Sequence, residues 1–365
     1  MPEIFINGRF LTQAQTGVQR FAFELLSALD KLIEEDNLDL SITCLVPPKE
    51  VEEALPDWRY IHLRECGSLH GNFWEQIDLP IYARTGILIS LCNRGPLFHR
   101  RHYVVIHDAS IFSVPEAYSF LFRLTYRVSY YILARTARKI ITVSNFSKDE
   151  ISRCLQLSKK EIAVISEGCE HILRISRDDT ILDTIIQTHR PFFLSVGSNS
   201  RHKNLEILIQ ALKGLSINNE IPQLVIVGGD FSKVFVGGEK VISENVKSLG
   251  FVTDEQLRSL YEHAIGFVFP SLYEGFGLPP LEAMICGCPV LCSNKASLPE
   301  IFGEAALYFN PQSVEDIQSV LLRFLSSVDL REECRQSGFL HAQEYTWTRS
   351  ARQLLCVLSE VHDER

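Results

Sequence analysis

Short apolar runs alternate along this chain with longer segments in which apolar residues recur every three or four positions. Runs at 3–6, 38–46, 60–63, 87–91, 103–106, 140–143 and 162–165 are mostly apolar and read as strands, that at 60–63 a weaker one. Between them lie helical patterns. Val18, Phe21, Leu25, Leu26, Leu29, Leu32 and Ile33 mark a first helix that begins at Gly17, with Thr16 as its cap. Others are predicted over 72–83, over 114–137 with Pro115 near the start, and from Lys148 after a Ser144 cap. Residues 169–190 lack a clear period and read as a linker. The alternation then resumes with strands at 192–196, 224–227, 265–269, 290–292 and 306–309, a short strand or turn at Phe251 and Val252, and helices over 204–215, 254–264 and 281–286. Three helices, near 313–327, 329–344 and 347–362, close the chain.

Strand and helix in alternation, with strands apolar on both faces, predict parallel sheets covered on each side. The chain is too long for one ordinary core. The expected organisation is a doubly wound domain over 1–168, a linker over 169–190, a second such domain over 191–345 and a C-terminal helix over 346–365 returning to the first. Ligands in sheets of this type bind beyond the carboxyl ends of the strands, so the expected site is a cleft between the two domains.

Composition narrows the class. With 46% hydrophobic and 22% charged residues the chain reads as an ordinary globular protein, without an apolar stretch long enough to span a membrane. The first residues have neither a basic leader nor a long apolar core, so no signal peptide is expected. The ten cysteines include several inside apolar runs, as buried thiols of a reducing compartment would be. Cys286, Cys288 and Cys292 do not read as a metal cluster, since they straddle a helix and the next strand without a nearby His. A net charge of −9 argues against bulk nucleic-acid binding. Yet residues 79–148 hold ten basic residues against two acidic ones, Asp108 and Glu116, which hints at an anionic surface or ligand near the first half. In the helix over 114–137 arginines, aromatics and aliphatics share much of one side. That pattern fits a membrane-surface helix and equally a core helix with snorkelling arginines.

The most informative stretch is Ser271-Leu-Tyr-Glu-Gly-Phe-Gly-Leu-Pro-Pro-Leu-Glu-Ala-Met284. A strand that ends in a glycine loop and opens a helix presents backbone N–H groups and the positive end of a dipole to an anion. Glu274 and Glu282 flank that place, and carboxylates avoid an anion but accept hydrogen bonds from hydroxyls. A diphosphate with a sugar at each end, a nucleotide-sugar, meets both demands. Other strand ends carry polar groups. Arg201-His-Lys-Asn204 could bring Lys203 to a diphosphate. His107 and Asp108 follow the strand at 103–106, where His107 either meets a reacting hydroxyl or is a structural histidine held by Asp108. Gly17 and Val18 could offer N–H groups to a phosphate or a sugar. Gly-x-Gly-x-x-Gly after a first strand, a Walker loop and Gly-x-Ser-x-Gly are all absent, which counts against a dehydrogenase, an NTPase and a serine hydrolase.

These motifs together resemble the retaining glycosyltransferases of family 4, whose architecture, called GT-B, is two Rossmann-like domains facing across a cleft. Glu274 and Glu282 match the Glu-x7-Glu signature of that family. Gly287-Cys-Pro-Val290, Ser297-Leu-Pro-Glu300, Ser195-Val-Gly197, Lys203-Asn204, Thr16-Gly-Val-Gln-Arg20, Asn72-Phe-Trp-Glu-Gln76, His107-Asp108 and Val143-Ser144 are similar too. The resemblance implies that Glu282 binds ribose hydroxyls and Glu274 the donor sugar. It implies that the backbone around Gly275, Phe276, Gly277 and Leu278 meets sugar and phosphate, and that Lys203 holds the diphosphate. His107 would lie beside the reacting sugar and the nucleobase against Val252. Ser198 stands where many members have Arg, so Arg201 or His202 is left to supply a second cation. The implied reaction moves a hexose from a nucleotide-sugar, GDP-mannose favoured, to a glycan or lipid-linked glycan. Without Asp-x-Asp at a strand end, no metal or cofactor is expected. The resemblance is to bacterial mannosyl- and rhamnosyltransferases of surface polysaccharides, and the implied setting is the cytoplasm, with possible contact at the inner, anionic face of the membrane. A GT-B epimerase or phosphorylase and a silent sugar-nucleotide-binding scaffold stand as alternatives.

Overall fold

The computed structural model describes residues 3–48, 56–183, 185, 191–198, 200–213, 215, 222–229 and 245–359. The chain divides into two compact units, one built from residues up to Gly168 together with those from Thr346, the other spanning Cys169–Tyr345.

The first unit holds seven parallel strands: β1 (Ile4–Asn7), β2 (Ile42–Val46), β3 (Ile61–Glu65), β4 (Ile87–Ser90), β5 (His102–Val105), β6 (Lys139–Thr142) and β7 (Ile162–Val164), in the order β3-β2-β1-β4-β5-β6-β7. The inner strands are buried along their whole length, as expected for a sheet covered on both faces. Register is set by pairs such as Ile4 with Ile42 and Ile4 with Ile87. Three longer helices belong to this chain segment: α1 (Gly17–Glu35), α2 (Phe120–Thr136) and α3 (Asn145–Leu155). Thr16 and Gln19 form a capping box at the start of α1, and Ser144 Oγ accepts from Ser147 N at the start of α3. The C-terminal helix Trp347–Ser359 packs on α1. Its Trp347 is fully buried with the ring 5.9 Å from Phe21, and a side chain on Gly168 would collide with the Trp347 backbone.

The second unit holds β8 (Phe192–Val196), β9 (Gln223–Val227), β10 (Val246–Gly250), β11 (Gly266–Phe269), β12 (Val290–Ser293) and β13 (Leu307–Phe309), all parallel, in the order β10-β9-β8-β11-β12-β13. Its longer helices are α4 (Leu205–Lys213), α5 (Asp254–His263), α6 (Leu278–Ile285), α7 (Val314–Ser326) and α8 (Val328–Ala342). Phe193, Leu208, Leu212, Val268, Leu291 and Phe324 share one of its apolar clusters. In each unit the strand order reverses once, between β1 and β4 and between β8 and β11, and ligands of doubly wound sheets settle at such points.

Several elements differ from the sequence reading. The helix expected over 114–137 is two pieces, a 3-10 turn at Pro115–Ala117 and α2, which Ser119 caps through Phe122 N; a short helix at Ser110–Ser113 precedes them. Pro115 lacks an N–H and suits only a first turn, so the break falls around it. Phe251 and Val252 lie just past β10, which ends where Gly250 takes a φ of +68°. Helix α6 starts at Leu278, three residues before the expected start. The stretch read as a linker carries two short helices, Glu170–Arg174 and Thr180–Asp183. It buries Ile172 and Ile181, so over its described residues it is part of the second unit.

Candidate active site

In the second unit the carboxyl end of β11 runs through Pro270 and Ser271 into the loop that opens α6. The hydroxyl of Ser297 holds that loop by donating to the carbonyls of Glu274 and Phe276, both at 3.0 Å. Gly277 sits at a φ of +114°, and a Cβ there would stand 3.0 Å from Leu298 and 3.1 Å from Phe302, so only glycine fits. Phe276 and Leu278 are buried. Of the early N–H groups of α6, Pro279 and Pro280 have none and Leu281 N turns to Gly277 O. What a diphosphate could meet here is therefore the N–H of Leu278 and of the loop residues before it.

The neighbouring strand end supplies the cation. After β8, Arg201–Lys203 forms a 3-10 turn closed by Asn204, whose φ is +56°. Asn204 Nδ2 donates to the carbonyls of Pro270 and Pro311, and His202 O accepts from Leu272 N, so the turn is fastened to the β11 loop. Lys203 Nζ then lies 2.7 Å from Glu274 Oε1 and 5.3 Å from the Phe269 ring centroid. Both side chains are partly solvent-accessible. Ser198 and Arg201 are exposed beside them, and His202 Nδ1 is 2.9 Å from Ser200 Oγ. Val252 is half-buried at the end of β10, in the same row of strand ends.

Glu282 lies deeper, only 5% exposed. His171 Nε2 donates to its Oε1 and Tyr261 O–H to its Oε2, each at 3.0 Å. These two donors hold the carboxylate in place. Neither partner was found from the sequence. His171 belongs to the weakly patterned stretch after Gly168, and Tyr261 looks like any apolar position of α5. Burial, followed by the neighbouring Glu282 charge, pushes the thiol of Cys286 well up, so it is no nucleophile here. Among the described residues no three His, Cys, Asp or Glu side chains converge to hold a metal ion.

In the first unit His107 follows β5 and is buried. Its Nε2 donates to Leu91 O at 3.0 Å, its backbone N donates to Asn93 Oδ1 at 2.8 Å, and Nδ1 lies 3.6 Å from Glu167 Oε1. Phe21 meets the ring edge-on at 4.8 Å. Asp108 does not hold His107. Its carboxylate caps the next turn through Ser110 N, and Glu167 faces the imidazole instead. Gly17 opens α1 on the exposed rim, and Val18 lines a cavity of about 500 Å³ at the point where the order reverses between β1 and β4. That cavity is polar. Arg9 pairs with the buried Glu75 at 2.9 Å, and Asn7 Nδ2 donates to the other Glu75 oxygen at 2.9 Å, with Thr16, Gln19 and Asn93 also lining it. The structure thus brings Lys203 to Glu274 and sets Glu282 among partners of its own. Arg201, Ser198 and Val252 lie at adjacent strand ends of that sheet. His107, Gly17 and Val18 belong to the first unit.

Comparison with known proteins assigns this architecture. The sequence profile of the family described as "Glycosyl transferases group 1" matches residues 177–341. O-antigen chain mannosyltransferase B of Escherichia coli is 33% identical over 276 residues, covering 72% of each chain. O-antigen chain mannosyltransferase RfbU of Salmonella typhimurium is 28% identical over 87% of this chain and 90% of its own. Among solved structures, sucrose-phosphate synthase from Thermosynechococcus elongatus superposes with a TM-score of 0.74 over the full length of both chains at 19% identity, a likeness of fold.

Proposed function

The chain belongs to the glycosyl transferases group 1 family, with the GT-B fold, and on that premise we propose that it is a retaining mannosyltransferase of family 4. The donor in this reading is GDP-mannose and the acceptor a growing glycan or lipid-linked glycan of a bacterial surface polysaccharide. The names of the two mannosyltransferase relatives support the sugar and the pathway class. The observation that carries the reading is the Lys203–Glu274 contact of 2.7 Å at the end of β8 and β11, beside the glycine loop of α6.

Each role follows from charge. Lys203 Nζ meets the diphosphate and stabilises the negative charge that grows on the leaving oxygen. Glu274 accepts hydrogen bonds from hydroxyls of the donor sugar, and before donor arrives the two residues neutralise each other. Glu282, steadied by His171 and Tyr261, accepts from the ribose hydroxyls. The loop N–H groups of Gly275, Phe276, Gly277 and Leu278 face sugar and phosphate, Val252 supports the base, and Arg201 is the reserve cation where Ser198 replaces a more common Arg. In the transfer the C1–O bond to phosphate breaks while the acceptor oxygen bonds C1 on the same face. The acceptor proton passes to the departing phosphate oxygen, so configuration is retained without a protein nucleophile. Lys203 and the N–H groups take the charge that a metal carries in other transferases, so we read the reaction as metal-independent. His107 is a proposed contact of the reacting sugar, and Gly17 and Val18 of the ligand at the start of α1.

The polar cavity by Arg9, Glu75 and Gln19 suits acceptor hydroxyls, which need both donors and acceptors. We place the enzyme in the cytoplasm, peripheral to the membrane that would carry a lipid-linked acceptor. The test is incubation of purified protein with labelled GDP-mannose and a polysaccharide repeat-unit acceptor. Labelled mannoside supports the reading. Conversion of the donor to an epimer, or complete donor inertness, sinks it.

A further inference from the structure

Helix α2 has two apolar faces, and only one is covered. Tyr126, Tyr130 and Leu133 point inward, with the partly exposed Phe122 at the end of that row. Tyr118, Phe122 and Tyr126 stack with centroids 5.4 and 4.2 Å apart, and Tyr130 and Leu133 lie in the adjoining core. The opposite face carries Phe120, Leu121, Leu124, Val128 and Tyr131, which at 100° per residue fall within a sector of about 100°. All five are exposed, Phe120 by 70% and Leu121 by 69%. The helix holds three arginines and no acid. Arg123 lies over the Phe120 ring and Arg135 over the Tyr131 ring, while Arg127 donates to the carbonyl of Ile111. None of the three is ion-paired to a carboxylate among the described residues.

Neighbouring segments of the same unit also expose apolar side chains. Gln76, in the helical segment 71–82, bonds Gly95 O and Leu97 N, and Arg94 lies over the Tyr126 ring of α2 at 5.1 Å. That segment exposes Phe73 by 72%, together with Ile77 and Ile81, and Phe98 is 81% exposed. Five exposed apolar side chains within one sector of a single helix are uncommon on a soluble surface.

We propose that the outer face of α2 is the surface by which this chain lies on an anionic lipid bilayer. The inference rests on the transferase reading only for its setting, a lipid-linked acceptor. Its physical case is the pairing of exposed aromatics and aliphatics with arginines that lack counter-charges. A second copy of the chain would set these arginines against their equals, so self-association does not suit the face. The chain as a whole carries −9, so attraction to an anionic membrane must come from this local positive surface and must orient the protein on it.

The test is sedimentation of the full chain with vesicles of phosphatidylcholine, alone or mixed with phosphatidylglycerol, without donor or acceptor. Binding is expected to the mixed vesicles, to weaken as salt rises, and to fall by about tenfold or more in Leu121→Ser/Val128→Ser, since two apolar side chains leave the lipid. Arg123→Gln/Arg135→Gln should remove the salt-dependent part. Circular dichroism and thermal melting check that both variants fold, and donor hydrolysis measured on the same samples keeps the outcome separate from that of the transferase reading. Failure of the wild type to bind phosphatidylglycerol vesicles at low salt would overturn the proposal. So would undiminished binding by the folded serine variant, or a dimer in light scattering that this variant dissolves.

Discussion

Lys203 and Glu274 satisfy each other at 2.7 Å, and that pairing makes their roles separable. Lys203→Ala removes the charge that meets the leaving diphosphate and should lower kcat by about a hundredfold or more. Lys203→Arg should recover part of it, and near-normal turnover in the alanine variant would refute the role. Tyr261→Phe leaves Glu282 with one donor fewer in a buried position. We expect a stability loss of about 1–3 kcal/mol in urea melts, together with a raised KM for donor and little change in kcat. A KM that does not move would detach Glu282 from the donor. In the first unit, burial drives the pKa of His102 from its ordinary 6.5 to about 3. Its folded value lies below its unfolded one, so between those two values the unfolded chain binds more protons. Its contribution is complete above about pH 6.5 and is lost as pH falls toward 3, at up to about 1.4 kcal/mol per pH unit. His102→Asn should flatten that part of the urea-stability profile, and identical slopes would exclude His102 as the cause.

At the scale of elements, a strand buried on both faces leaves an uninterrupted apolar run, so β1, β4, β5, β8 and β11 were legible in the sequence. The half-exposed β10, with Lys247 and Ser248, left no such run and was missed. The interruption of the helix over 114–137 was misread because apolar spacing continues across Pro115 while the hydrogen bonding does not. Glu274, Lys203 and the glycine loop were legible because strand ends place them. His171 was not, because its contact with Glu282 spans 111 residues of sequence. The outer face of α2 shows the limit of periodicity, since apolar spacing marks a face without saying what covers it. The loop before α6 yields a further prediction. Gly277→Ala forces a side chain into positive φ and against Leu298 and Phe302. It should cost about 1–2 kcal/mol of stability and raise the KM for donor, and an unperturbed variant would show that the loop relaxes freely.

On the scale of the whole molecule, the sequence reading anticipated two parallel α/β sheets, and the structure has them, with seven and six strands. The C-terminal helix completes the first unit by burying Trp347 against Phe21 and bonding Ser350 Oγ to Ser166 O. No helix among the described residues is long and apolar enough to cross a membrane. The functional account depends most on the second unit, where the donor is assigned.

The most direct test is to follow labelled GDP-mannose and a repeat-unit acceptor by NMR in wild type and Lys203→Ala. The account predicts an α-linked mannoside with the donor's anomeric configuration kept, formed by the wild type and nearly absent with the variant. A β-linked product, or equal product from both proteins, would contradict it.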